Sequence, residues 1–155
     1  MVNHLKSWAA GFIDGEGSFT IEKRKNNHKS INGPDFYYAP KLSVHLRDDD
    51  EASIKTLQKA FESTGYCYRR TPRKPSKYGS WSKPTIECIW RTHEHLPHII
   101  KVLDTHPLQG KKSRDYAIWS EAVKQYLDKT ISSTERQDML GAAREELHQI
   151  KQYVL

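Results

Sequence analysis

Cysteine is scarce in this chain of 155 residues, and the two present, Cys67 and Cys88, share no CxxC spacing. They suggest neither a zinc site nor a disulfide scaffold, and a reduced compartment fits. No apolar run approaches the ~18 residues of a membrane span, and the N-terminus lacks a signal-peptide core. The expectation is a soluble, intracellular protein that is not secreted. Apolar residues are also few, at 36%, and mean hydropathy is −0.82, which leaves a thin core beneath a large polar face. Acidic residues are outnumbered, 19 Asp and Glu against 25 Lys and Arg, for a formal charge of +6. That balance suits a polyanionic partner, because neutralised phosphates release counterions on binding. Many basic proteins bind no nucleic acid, so charge alone does not decide.

Periodicity organises the rest. Leu5, Trp8 and Phe12 recur at helical spacing, and Ala9, Ala10 and Gly11 lie on another side. This helix is expected to stop at Asp14-Gly15-Glu16-Gly17, where two glycines permit conformations other residues resist. Phe19 and Ile21 then alternate with Ser18, Thr20, Glu22 and Arg24, the pattern of a strand with one solvated face. After the turn-rich NNHKSINGP (residues 26–34), a second strand runs from about Tyr37 to Arg47, with Leu42, Val44 and Leu46 on one face. Asp48, Asp49 and Asp50 are N-cap candidates for a helix holding Ile54, Leu57, Ala60 and Phe61, which Gly65 ends.

A third strand reads GYCYRR, and the basic stretch from Arg69 to Lys83 reads as an exposed hairpin connection. The fourth strand places Ile86, Cys88 and Trp90 on one face, opposite Thr85, Glu87 and Arg91. Helices follow around Pro97 to Leu103, from Lys111 to Leu127, and from Thr134 onward. The fold class is α+β, a four-stranded antiparallel sheet with one polar basic face and one helix-covered face. The opening segment has no second copy, so there is one unit per chain: a domain over 1–130 and a C-terminal helical extension of it over 131–155. His93, Glu94, His95 and His98 read as a helix-start cluster rather than a metal site, and Tyr116 and Trp119 as core.

The stretch WAAGFIDGEGSF, Trp8 to Phe19, resembles the LAGLIDADG motif, with Ala9 in place of the usual leucine and Glu16 in place of the commoner aspartate. DDDEASIKTLQKAFESTG and HPLQGKKSRDYAIW (residues 106–119) follow in the order expected of LAGLIDADG homing endonucleases. The resemblance implies an ααββαββα-like core with an extra C-terminal helix. It assigns Glu16 as the metal-binding acid, the Gly15 carbonyl as a second oxygen ligand, and Lys112 as the basic residue after Pro107-Leu108. Arg47, with Asp48 and Asp50, lies near the positions of water-organising groups, and Asp14 orders the turn.

Physical chemistry supports these roles. A helix lined with Ala9, Ala10 and Gly11 can approach a twin helix closely, with Phe12 and Ile13 packed around the seam of a homodimer. Two carboxylates at its axis repel unless a cation such as Mg²⁺ (or Mn²⁺) lies between them. The polar strand faces suit the major groove of double-stranded DNA through Glu22, Arg24, Asn26, Lys41, Ser43, His45, Tyr68, Arg70, Thr85, Glu87 and Arg91. Lys23, Lys25, Lys29, Arg73, Lys74 and Lys77 are candidate phosphate contacts. The implied activity is metal-dependent hydrolysis giving a staggered double-strand break in a long pseudo-palindromic site, as in intron homing. A non-cleaving intron RNA maturase or DNA-binding regulator is the alternative, and retention of both Glu16 and Lys112 argues against it.

Overall fold

The computed structural model describes residues 2–28, 33–72 and 83–152. Lys29, Arg73, Lys74 and Lys77, and most of the expected hairpin connection, lie outside them. Helix α1 (Val2–Glu16) leads into β1 (Gly17–Lys25), β2 (Phe36–Arg47), α2 (Glu51–Phe61), β3 (Tyr66–Arg70) and β4 (Thr85–Trp90). Helices α3 (Leu96–Thr105), α4 (Lys112–Leu127) and α5 (Ser133–Gln152) complete the order. Among the described residues one helix precedes the sheet, where an ααββαββα-like order would have two. The strands form one antiparallel sheet in the order β1-β2-β4-β3. No described helix is long and apolar enough to cross a membrane.

The chain divides into two compact units. The first contains Met1–Ser18 and Leu42–Gln109. Its core follows the expected periodicity: Leu42 and Val44 of β2, Ile86, Cys88 and Trp90 of β4, and Ile54, Leu57, Ala60 and Phe61 of α2 are all buried. Trp90 meets Phe61 edge-on at 5.3 Å between ring centres and donates its Nε1–H to the Ser63 carbonyl at 3.1 Å, so the largest core side chain leaves no buried donor unpaired. Helix α1 packs against α2 and α3.

Three details in this unit differ from expectation. Asp48–Asp50 form a short 3-10 turn, and Asp50, the N-cap of α2, accepts the Ser53 hydroxyl at 2.6 Å instead of a backbone amide. Helix α2 ends at Phe61, not at Gly65, because Glu62 adopts the left-handed conformation at φ 53°. Gly65 serves the following turn at φ 58°, where an added Cβ would lie 2.8 Å from both the Ile89 carbonyl and Trp90 Nε1. The third difference is a correction of the cysteine reading. Cys67 and Cys88 form a disulfide, with Cα atoms 4.1 Å apart. The antiparallel register sets them directly opposite each other on β3 and β4. Spacing along the chain says nothing about such cross-strand neighbours, whose side chains sit close enough to bond.

The second unit contains Phe19–Lys41 and Gly110–Leu155. Phe19 packs against the rings of Tyr116 and Trp119 at 5.3 and 5.0 Å, which makes these aromatics core, as expected. Trp119 donates its Nε1–H to the Thr20 carbonyl at 3.1 Å. Helix α5 buries Leu140 and Leu147 and packs along α4. Its polar side chains also pair with strand backbone. Gln137 accepts the Tyr38 N–H at 2.6 Å and donates to the Tyr38 carbonyl at 3.1 Å. Strand β4 pairs with β2 over Leu42–Arg47, so Tyr38 lies beyond its reach and a glutamine side chain takes the place of a neighbouring strand. Arg144 donates to the Ile21 carbonyl at 3.1 Å and Lys151 to the Phe19 carbonyl at 3.3 Å, both on the outer strand β1.

Candidate functional site

The motif segment is the last turn of α1 and its junction with β1. Gly17 begins the strand at an ordinary negative φ, so its role differs from the flexibility expected of it. An added Cβ would lie 2.7 Å from Ile13 Cγ2 and 2.8 Å from the Ile13 carbonyl oxygen, so only glycine lets the chain leave the helix this closely. Gly15 has nothing within 4 Å of its virtual Cβ, and its side is open. Asp14 accepts the Gln109 N–H at 2.9 Å, tying the motif turn to the HPLQ segment of the same unit. This is the ordering role expected of it.

Glu16 is exposed and forms no hydrogen bond or ion pair with the described residues. Asp14 and Glu16 both occupy the last turn of α1, which contains no basic residue. A carboxylate at the negative end of a helix dipole is one that a nearby cation would stabilise. The donors are hard oxygens, which fits Mg²⁺, an ion that keeps waters and takes one or two carboxylates plus substrate phosphates. No described group of three His, Cys, Asp or Glu residues could hold a metal by itself.

Exposure sorts the faces of α1. Ala9 and Ile13 are 0% exposed and Ala10 is 5% exposed, so these side chains serve the core of the single chain. The small residues that face outward are Ser7, Gly11 and Gly15. Trp8, 39% exposed, stacks on Phe12 at 5.0 Å beside them. A cavity of about 410 Å³ adjoins this face, between Ser7, Ala10, Gly11 and Asp14 and the segment Thr105–Gln109.

On the sheet, register groups the expected contact residues of the first unit into rows. His45, Glu87 and Tyr68 line up across β2, β4 and β3, and Arg47, Thr85 and Arg70 form the adjacent row. Tyr68 donates to Glu87 at 2.5 Å, and Arg70 reaches both Tyr68 and Glu87, at 2.7 and 3.0 Å. These partners raise the Arg70 pKa further, the Tyr68 hydrogen bond first and the Glu87 charge second. His45 Nε2 pairs with Thr85 Oγ1 at 2.8 Å. Ser43 lies opposite Ile89, and Tyr66 opposite Ile89 on the other side. Tyr66, 62% exposed, is missing from the sequence reading, although strand alternation from Tyr68 and Arg70 points to it. Arg91 lies just past the end of β4. Arg47 pairs with Asp49 at 3.3 Å, while Asp48 and Glu51 engage Arg69 at 3.4 and 2.8 Å. His95 bonds Ser63 at 2.7 Å, which gives that histidine a structural use.

In the second unit, Glu22 and Lys41 pair at 2.8 Å and are only 26% and 16% exposed at the side chain. Arg24 lies over Tyr37, 5.8 Å from its centre. Asn26 closes the β1–β2 connection, donating from Nδ2 to the Pro34 carbonyl at 3.1 Å. Lys112 is the first residue of α4 and half-buried.

These are the features of an α+β protein with an exposed acid at the end of its first helix and basic and polar groups on its strands. A model of the LAGLIDADG endonuclease family matches residues 9–123, and the chain belongs to that family. It is 31% identical over 147 residues to a probable intron-encoded endonuclease, Cox1-I1b, of Schizosaccharomyces pombe, covering 94% of this chain and 34% of that protein. The fold is shared with I-SmaMI bound to an uncleaved DNA target in the presence of calcium ions, at a TM-score of 0.68 and 19% identity, over 96% of this chain and 49% of that one. It is shared also with the homing endonuclease I-TnaI, at a TM-score of 0.59 and 19% identity, over 92% of this chain and 97% of that one. The chain thus spans about a third of the curated relative it matches and about half of I-SmaMI.

Proposed function

We propose that the chain is one half of a site-specific DNA endonuclease, in which two copies pair through α1 and cut both strands of a long pseudo-palindromic site. The observation that carries this reading is Glu16, exposed and unpaired with any described residue at the end of a helix whose outward face is Ser7, Gly11 and Gly15. Small residues let two helix backbones approach, so each copy delivers one carboxylate to the shared axis. The outward stripe and the cavity beside it supply the contact surface, and Phe12 flanks it. Half-sites of the target then lie about one helical turn, or ~10 bp, apart.

In this reading Glu16 and the Gly15 carbonyl hold Mg²⁺ (or Mn²⁺). When bound, the ion stabilises charge on the attacking and leaving oxygens of phosphodiester hydrolysis. Lys112 adds positive charge where the phosphate becomes more negative, and Arg47 helps to order water. The strand faces read bases: the Tyr68-Glu87-Arg70 group presents a fixed donor and acceptor pattern, because its members already hold one another in place. Residues 1–130 act as the endonuclease domain, with 131–155 as its extension. The family resemblance and the intron-encoded yeast relative support a role in intron homing inside the cell, beside the host's DNA.

The test is a cleavage selection on a randomised DNA library with Mg²⁺, comparing the wild-type protein with Glu16→Gln. The expected result is an enriched pseudo-palindromic site with a staggered cut, with cleavage by Glu16→Gln reduced more than about a hundredfold. If both proteins bind one site and neither cuts it, the chain is a DNA-binding or intron RNA-binding descendant instead.

A further inference from the structure

The Cys67–Cys88 bond and the Tyr68-Glu87-Arg70 group occupy the same two strands. Side chains alternate along a strand, so Tyr66, Tyr68 and Arg70 project from one face of β3 and Cys67 from the other. Tyr68 and Glu87 form the next step of the ladder after Cys67 and Cys88. The bond therefore fixes, one residue away, the strand whose Tyr68 and Arg70 hold Glu87. The two sulfurs differ in access. Cys67 is half-buried and Cys88 is fully buried, so an attacking thiolate meets Cys67 Sγ first. The surroundings also suit the two thiols. The Thr64 carbonyl oxygen lies 3.6 Å from Cys88 Sγ and 3.8 Å from Cys67 Sγ. Gln58 Nε2 donates to that oxygen at 2.7 Å and takes one of its two lone pairs. The other lone pair accepts the buried Cys88 S–H when the bond opens, so reduction leaves no unpaired donor in the core.

We propose that Cys67–Cys88 is a thiol–disulfide exchange site whose co-substrate is a dithiol reductant, and that its state switches base reading by β3. The proposal rests on the reading of the chain as a DNA endonuclease acting inside the cell. Thiols there are kept reduced, and disulfides that form are usually transient or redox-sensing. The reductant's thiolate attacks Cys67 Sγ, the S–S bond breaks, and Cys88 leaves as a thiolate that takes up a proton. The reductant's second thiolate then attacks the reductant's own sulfur in the mixed disulfide. Cys67 is released as a thiolate and protonated, and the reductant departs as a disulfide, two electrons poorer. Gln58 Nε2, 3.4 Å from Cys67 Sγ, is placed to donate to that leaving thiolate. After reduction the ladder keeps β3 on the sheet, but Tyr68 and Arg70 are no longer fixed against Glu87. They must then be ordered on binding, which weakens reading of a specific site and leaves phosphate contacts elsewhere untouched.

The test uses the full wild-type chain with dithiothreitol as the dithiol. Alkylation followed by mass measurement reports the bond, and far-UV circular dichroism reports the fold. Fluorescence anisotropy without divalent metal reports binding to two duplexes, the site enriched by the cleavage selection and a random sequence. The bond is expected to open with the fold intact. Affinity for the enriched site is expected to fall about tenfold, the cost of ordering one or two side chains, and to return on reoxidation. Affinity for the random duplex is expected to stay unchanged. Cys67→Ser is expected to show the affinity of the reduced protein with or without dithiothreitol. Unchanged affinity of the reduced, folded protein for the enriched site would make the bond a brace only and overturn the switch. A bond that opens only on unfolding, or equal weakening on both duplexes, overturns it as well. If the selection enriches no site, the endonuclease reading falls, and the switch falls with it.

Discussion

One methyl group at position 17 would collide with the turn of helix that precedes it. The nearest obstacles are Ile13 Cγ2, at 2.7 Å, and the Ile13 carbonyl oxygen, at 2.8 Å, and the second belongs to backbone that cannot rotate away. Gly17→Ala is therefore expected to destabilise the protein by about 1–3 kcal/mol, as overpacking does. Denaturant unfolding checks this, and an unchanged midpoint would mean that the helix end yields. The motif identifies this glycine in the sequence, but its physical reason is close packing and not a left-handed backbone. Asp14 shows the opposite case. Its ordering role is expected from the motif, yet its partner, the Gln109 N–H, is 95 positions away and invisible to any local pattern.

At the scale of elements, strand β3 is a short edge strand of five residues that nevertheless presents Tyr66, Tyr68 and Arg70. Two things hold it: the ladder to β4 and the Cys67–Cys88 disulfide. A cross-link between residues 21 positions apart removes chain entropy from the unfolded state, typically worth about 2–4 kcal/mol. Reductant is expected to lower stability by that amount, and Cys67→Ser to do the same without reductant. Adding reductant to Cys67→Ser should then have no further effect, as read from denaturant midpoints. A wild-type midpoint indifferent to reductant would leave β3 held by its ladder alone. Helix α5 is the other element whose purpose depends on contacts. Its position after Ser132-Ser133 is readable, while its service to Tyr38, Ile21 and Phe19 through Gln137, Arg144 and Lys151 is not.

At the scale of the whole molecule, the chain shares its fold with nearly all of I-TnaI and with about half of I-SmaMI. The proposed pairing runs through the outward stripe of α1. Gly11 is the position to test, because an added Cβ there meets nothing within 4 Å in the single chain. Gly11→Leu is expected to keep the fold, and even to favour the helix by roughly 1 kcal/mol, while abolishing self-association. Sedimentation shows the outcome. A Gly11→Leu protein that still dimerises would move the contact surface away from this stripe. Both the stripe and the basic strand faces are surfaces that the core of the single chain leaves unused.

The sequence by itself determined the order of helices and strands, the buried faces of β1, β2, β4, α2 and α4, and the family. Periodicity does this because burial must repeat every 3.6 residues on a helix and every two on a strand. It locates an apolar face but does not say what covers it. Tertiary structure alone decided that Ala9, Ala10 and Ile13 face the chain's own core and that Ser7, Gly11 and Gly15 face outward. It alone decided the register that joins Cys67 to Cys88, and the approach of Lys151 to Lys112. Each of these is a meeting of residues far apart in the chain, fixed by packing that no local pattern encodes.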